Sequence, residues 1–142
     1  VLPDSVKLYG TLRYLNPDLQ DTLHRKISDS IDNVSSLSKA EIDWKSDYAC
    51  PGVVNNKELV DIIYKSAQES IGEQNTKILD ISSMGGEDFA YYLQKIPGAY
   101  FRIGSYDGNS RDIHTSDFDV SEECMFTALK VYASIVENYF KS

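Results

Sequence analysis

A chain of 142 residues with 42% hydrophobic and 25% charged side chains carries enough apolar material for a folded core, which excludes a disordered or fibrous segment. Its 14 Lys and Arg against 22 Asp and Glu give a formal net charge of -8, a field that repels phosphate backbones and anionic headgroups and so argues against nucleic acid and membranes as partners. No apolar run approaches the roughly 20 residues that span a bilayer, and Cys50 and Cys124, in no Cys-x-x-Cys pair, point to a reduced, cytoplasmic setting without a disulfide framework.

Val6, Leu8 and Leu12 alternate with polar residues, which predicts a strand with one buried face, interrupted at Gly10. Asn16-Pro17-Asp18 supplies a cap, a proline suited to the first helical position and an acidic first turn. Leu19, Leu23, Ile27 and Ile31 then recur at four-residue spacing and predict an amphipathic helix. After a serine-rich turn, Ala40, Ile42 and Trp44 predict a second strand. Cys50-Pro51-Gly52 breaks regular structure, and a boundary is placed there.

Beyond it, Asn56 caps a helix lined by Leu59, Ile62, Ile63, Ala67 and Ile71 and stopped by Gly72. Ile78, Leu79 and Ile81 predict a short buried strand. Met84-Gly85-Gly86 feeds a short helix that starts at Glu87-Asp88, where the dipole favours negative charge, and ends at Pro97-Gly98. Ala99, Phe101 and Ile103 predict another strand, Gly104 to Asp112 a polar loop, and Ser121 the cap of a last helix through Tyr139.

Three features could carry chemistry. His114 lies in a carboxylate-rich loop and could offer one ring nitrogen to a metal while a carboxylate orients the other; pattern alone favours a solvated loop histidine. Arg13, the last polar-face residue of the first strand, could hold a carboxylate in its planar fork, although spacing alone favours a surface salt bridge. Gly85, Gly86 and Glu87 could bring backbone N–H groups and a carboxylate beside a ligand, or form an ordinary capped turn. No Gly-Lys-Ser/Thr follows to make a phosphate loop, and no Gly-x-Ser-x-Gly elbow supplies a nucleophile. His24, on a helix explained by its apolar spacing, is assigned no role, and neither cysteine has a nucleophile signature.

Several ordered stretches together resemble the C-terminal part of the aminoacylase, hippurate hydrolase and auxin-conjugate hydrolase family of metallopeptidases. They are Leu2-Pro3-Asp4 with Leu8 to Arg13, Asn16-Pro17, Cys50 to Asn56, Met84 to Phe89, Ile96 to Phe101, and His114 before Phe118-Asp119. Gly-Gly-Glu-Asp-Phe followed by Pro-Gly-Ala is the most specific of them. The resemblance implies an α/β chain: a β-α-β half of a ferredoxin-like lid and dimerisation domain over residues 1–49, followed by the C-terminal section of an α/β metallopeptidase catalytic domain over residues 50–142.

It further implies hydrolysis of the amide bond of N-acyl amino acids or small peptides, with two divalent ions, zinc, manganese or similar, in the complete enzyme. His114 falls on the family's last metal-binding histidine, Arg13 on its carboxylate-recognising arginine, and Gly85, Gly86 and Glu87 on its loop near the metal centre. Association with further copies of the chain is expected. Thr115-Ser116 stands where the family usually has Ser-Pro, and Ser121-Glu122 where it has Asp-Glu.

The family's Cys-Gly-His-Asp ligand motif, its Glu-Glu pair with the general base and its lid histidine belong before Val1, and the opening Val1-Leu2-Pro3-Asp4 has neither a starting Met nor a signal sequence. No catalytic residue is therefore assigned within the chain, which is expected to be inactive alone. A non-catalytic binding or oligomerisation module that reuses this half of the fold is the alternative.

Overall fold

Helices form where apolar residues recur at helical spacing, and asparagine or glycine marks some of their ends. The computed structural model describes residues 3–47, 50–109 and 113–141; of the sequence features named above, Val1, Leu2 and Asp112 lie outside these. The chain divides into two units, Val1–Gly52 with Ser82–Asp88 and Val53–Ile81 with Phe89–Ser142.

In the first unit, Asn16 Oδ1 accepts the N–H of Asp18 at 3.0 Å, and Pro17 opens a single 3-10 turn, Pro17–Leu19, that runs into α1, Gln20–Ser38. The predicted start is therefore found, with one tight turn ahead of the α-helix. Leu23, Ile27 and Ile31 are half-buried along one side of α1. Lys39 takes the left-handed conformation at the C-cap, φ 57°, a place glycine usually fills. Ser35 Oγ then donates to the carbonyl of Ala40 at 2.7 Å, and Ser38 Oγ accepts the N–H of Ala40 at 3.2 Å. The chain reverses there, and Trp44 meets His24 of α1 with ring centroids 6.4 Å apart.

The second unit holds α2, Lys57–Ile71, α3, Phe89–Leu93, and α4, Glu123–Tyr139. Asn56 Oδ1 accepts the N–H of Leu59 at 3.0 Å, and Gly72 ends α2 at φ 90°, as the sequence predicts. A 3-10 turn, Glu73–Asn75, follows. The predicted Ser121 cap is corrected by one residue: Glu122 is the N-cap, and Ser121 instead accepts the N–H of Cys124 through its backbone carbonyl at 3.1 Å.

α2 and α4 pack on each other, with Ala67 and Val131 buried. Ser66, fully buried, donates to the carbonyl of Ile62 at 2.7 Å and accepts Asn138 Nδ2 of α4 at 2.9 Å. Asn138 Nδ2 also donates to Glu69 Oε2 at 2.8 Å, so the two helices share a satisfied polar link across their contact.

α3 is short and buries Ala90. A Cβ built on Gly98 would stand 2.7 Å from Leu93 Cδ2 and 3.5 Å from Phe89 Cζ, so the following segment lies close against α3 and a side chain at position 98 would make Leu93 move aside.

The predicted strands are the main correction. Among the described residues no β-ladder forms, and every regular element is helical. Residues 6–13, 40–44, 78–81 and 99–103 are not assigned as strands. Leu8 is 91% exposed and Ile81 87% exposed, so the apolar faces read from the alternation are not buried. Period-two alternation specifies which face a strand would bury, but a ladder also needs a neighbouring strand in register. The segments at 6–13 and 40–44 do not serve as that neighbour for each other.

Candidate functional site

In the first unit, two stretches far apart in sequence, at Arg13 and at Cys50, meet the loop over residues 83–87. Arg13 Nη1 donates to the carbonyl of Met84 at 2.6 Å, across 71 residues of sequence. Gly85 N–H donates to Ser83 Oγ at 3.1 Å, which folds the loop tightly on itself. Cys50 Sγ lies against the far end of the same loop, 3.9 Å from the carbonyl of Glu87 and 3.5 Å from that of Pro51.

A Cβ built on Gly86 would meet Cys50 Sγ at 3.1 Å, closer than a carbon and a sulfur ordinarily approach. Neither Gly85 nor Gly86 has a positive φ. What crowds position 86 is thus the thiol beside it and not its backbone conformation.

The spacing of Arg13 predicts a surface salt bridge, yet among the described residues it pairs with no carboxylate. One guanidinium N–H is used by Met84, and the exposed fork retains donors for an external carboxylate. Glu87 is half-buried beside the glycines. The structure therefore brings Arg13 to Met84, the residue that leads into Gly85, Gly86 and Glu87, while His114 belongs to the second unit.

His114 is exposed and adopts φ 67°, a left-handed conformation that histidine takes more readily than most residues. It sits in a turn over residues 113–117 in which Phe118 N–H donates to the carbonyl of Thr115 at 3.3 Å. Catalytic zinc takes three protein ligands and structural zinc four. Among the described residues no group of three or more His, Cys, Asp or Glu is assembled to hold an ion, so these residues do not by themselves fit a metal centre.

A surface groove of about 390 Å³ lies on the α2–α4 side, lined by Asp61, Ile62, Lys65, Asn138 and Lys141. It contains none of the predicted site residues, and its wide mouth gives no enclosure for a small substrate. The loop at Arg13 has the stronger chemistry.

Sequence reasoning misses two participants. Met84 acts through its main-chain carbonyl, which no side-chain pattern reveals. Cys50 reads in the sequence only as part of a break, and the signal for its role is its place in Cys50-Pro51-Gly52, an irregular stretch whose thiol lies against Gly86.

Residues 5–138 match the peptidase family M20/M25/M40. The chain belongs to this family. The resemblance read from the glycine loop, the Pro-Gly-Ala stretch and the other ordered motifs is thereby borne out at family level.

Among M20 relatives, YhaA of Bacillus subtilis (strain 168), provisionally named an amidohydrolase, is 31% identical over 98% of this chain and 36% of its own length. The IAA-amino acid hydrolase ILR1-like 5 of Arabidopsis thaliana is also 31% identical, over 98% of this chain and 33% of its own length. The N-acetyl-L-cysteine deacetylase of Bacillus subtilis (strain 168) is 29% identical over 90% of this chain and 30% of its own length.

The chain spans about a third of the length of the curated relatives it matches. No solved structure matches it significantly. M20 membership supports the α/β class, although the described residues form helices and no sheet. Among those residues no helix is long and apolar enough to cross a membrane.

Proposed function

We propose that this chain is the C-terminal part of a metal-dependent M20 amidohydrolase that cleaves the amide bond of N-acyl amino acids or small peptides. Family membership and relatives named for hydrolysing or deacetylating acylated amino acids support the reaction class. The observation that carries the substrate reading is the bond from Arg13 to the Met84 carbonyl, which holds at the glycine loop a guanidinium that pairs with no carboxylate among the described residues.

In this reading the fork of Arg13 takes the substrate carboxylate. The N–H of Gly86, without a protein partner among the described residues, donates to a substrate oxygen. Glu87 lies beside them and repels any anion set too deep in the loop.

Residues 1–49 are assigned to half of a β-α-β-β-α-β lid and residues 50–142 to the catalytic domain. In that topology the strands at 6–13 and 40–44 are not neighbours, which accounts for their failure to pair with each other. His114 would give one imidazole to a divalent ion, zinc or manganese. The other ligands and the general base would come from outside residues 1–142, so the chain alone is expected to be inactive.

Titration calorimetry with N-acetyl-L-alanine and its methyl ester tests the assignment of Arg13. Arg13→Ala should weaken binding of the acid by about tenfold, or roughly 1.4 kcal/mol, and leave the ester within about twofold. Equal losses for acid and ester would make Arg13 a structural residue.

A further inference from the structure

We propose that Cys50 is a positioning residue for Arg13: its thiol stops the glycine loop where the Met84 carbonyl aims the guanidinium at a substrate carboxylate. This role rests on the reading of Arg13 as the carboxylate clamp, and adds the group that sets the direction of that clamp.

The loop over residues 83–87 is held near one end by charge. Arg13 Nη1 donates to the Met84 carbonyl at 2.6 Å. Resonance joins that carbonyl to the nitrogen of Gly85, whose N–H donates in turn to Ser83 Oγ at 3.1 Å. The cation therefore polarises the peptide between Met84 and Gly85 and strengthens the turn that presents the carbonyl. Gly85 and Gly86 follow, two residues without a Cβ and with the widest choice of backbone conformations. With nothing at their far end, this pair would let the Met84 carbonyl swing, and the guanidinium bonded to it would swing as well.

Cys50 supplies the far end. A Cβ at position 86 would stand 3.1 Å from its Sγ, so the sulfur occupies the space beside Gly86, and it lies 3.9 Å from the Glu87 carbonyl. The thiol is itself held. Pro51 follows it and disfavours helical backbone at position 50, and Sγ lies 3.5 Å from the Pro51 carbonyl. Gly52 then rests against the segment that follows Arg13: a Cβ built there would stand 3.9 Å from the Leu15 carbonyl oxygen and 3.9 Å from Pro17 Cγ. Arginine, loop and thiol thus close a circuit, from Arg13 to Met84, along the loop to Glu87, across to Cys50 and back through Gly52 to Leu15. Every link lies within the first unit.

This circuit separates direction from charge. Arg13 keeps its donors whatever stands at position 50, but an oriented fork can engage a carboxylate through two parallel bonds, and a swinging one engages it through fewer. An ester lacks the anionic pair of oxygens and gains little from the orientation. The sulfur acts here by its bulk and its place, and no bond to it forms or breaks.

Amide NMR of the 142-residue chain, with titration calorimetry using N-acetyl-L-alanine and its methyl ester, tests the role. In Cys50→Ala the Gly85 nitrogen signal should move toward its position in Arg13→Ala, because the bond accepted by Met84 weakens. A loss of stability alone would leave that signal of the folded chain in place. Cys50→Ser, whose hydroxyl can still meet the Glu87 carbonyl, should return it most of the way. Binding of the acid should weaken by about threefold to fivefold in Cys50→Ala, with the ester within about twofold. In the Arg13→Ala background the same change should leave the acid unaltered. A Gly85 signal that stays put in Cys50→Ala and moves in Arg13→Ala would overturn the proposal, as would equal losses for acid and ester, or the same loss with and without Arg13. If Arg13→Ala itself treats acid and ester alike, the carboxylate reading falls, and the Gly85 signal still decides whether position 50 sets the loop.

Discussion

Gly86→Ala should disturb the loop that Arg13 grips, and Cys50→Ala should undo the damage. The added Cβ would stand 3.1 Å from Cys50 Sγ, some tenths of an ångström inside ordinary carbon–sulfur contact. Overpacking by one methyl costs about 1–3 kcal/mol where neighbours cannot yield. Cys50 is only half-buried and can shift partway, which puts the expected loss near the low end, about 1 kcal/mol.

Cys50→Ala alone removes a polarisable atom from a half-buried place and should cost about 1 kcal/mol. Among the described residues beyond its chain neighbours, the thiol sulfur is the only one with an atom within 4 Å of where the alanine methyl would stand, so in the double variant the clash is gone and the second substitution should be nearly free. Urea denaturation of the four proteins of the cycle measures the coupling, with a favourable interaction of about 1 kcal/mol expected between the two changes. Additive losses would refute the contact as the reason for glycine at position 86.

Further outcomes follow from the second unit and from His114. Val131→Ala, at a side chain 1% exposed between α2 and α4, should cost about 2–3 kcal/mol, whereas Val136→Ala on the exposed side of the same helix should stay within about 0.5 kcal/mol; denaturant midpoints compare the two. Asn138→Ala removes the donor shared by Ser66 and Glu69 and should cost about 1–2 kcal/mol by the same measurement, with Asn138→Asp no better, since its carboxylate would face Glu69. After dialysis against zinc or manganese the chain should retain less than one ion per molecule, unchanged by His114→Ala; stoichiometric metal lost in that variant, measured by elemental analysis, would reveal a site that the single imidazole does not explain.

The helices are legible in the sequence because their determinants are local. Leu23, Ile27 and Ile31 fix a side of α1, and Asn16, Asn56 and Gly72 mark boundaries through side-chain oxygens or a positive φ. Ser121 misleads by one position because its carbonyl, and not its hydroxyl, serves the first turn of α4.

The strands are legible only as faces. Val6, Leu8 and Leu12 record a side to be buried, but no residue in the segment records which strand should lie beside it. In the candidate site, Arg13 and the glycines are each visible by residue type. Their meeting is not, because it depends on a backbone carbonyl 71 residues away and on a thiol that a side chain at position 86 would crowd.

The carboxamide of Asn55 has a bearing on chemical ageing. An asparagine deamidates when the nitrogen of the next residue attacks its side-chain carbonyl carbon and closes a five-membered succinimide. Here that nitrogen, on Asn56, is committed to the carbonyl of Gly98, and the carboxamide itself is clamped at both ends by Tyr100. Ring closure would require both restraints to open together, so the folded chain shields this Asn-Asn pair from spontaneous conversion. Were Asn55 to become aspartate, the donor that serves the Tyr100 carbonyl would be replaced by an anionic oxygen facing it. Local unfolding around residues 98–100 therefore governs how long Asn55 keeps its carboxamide.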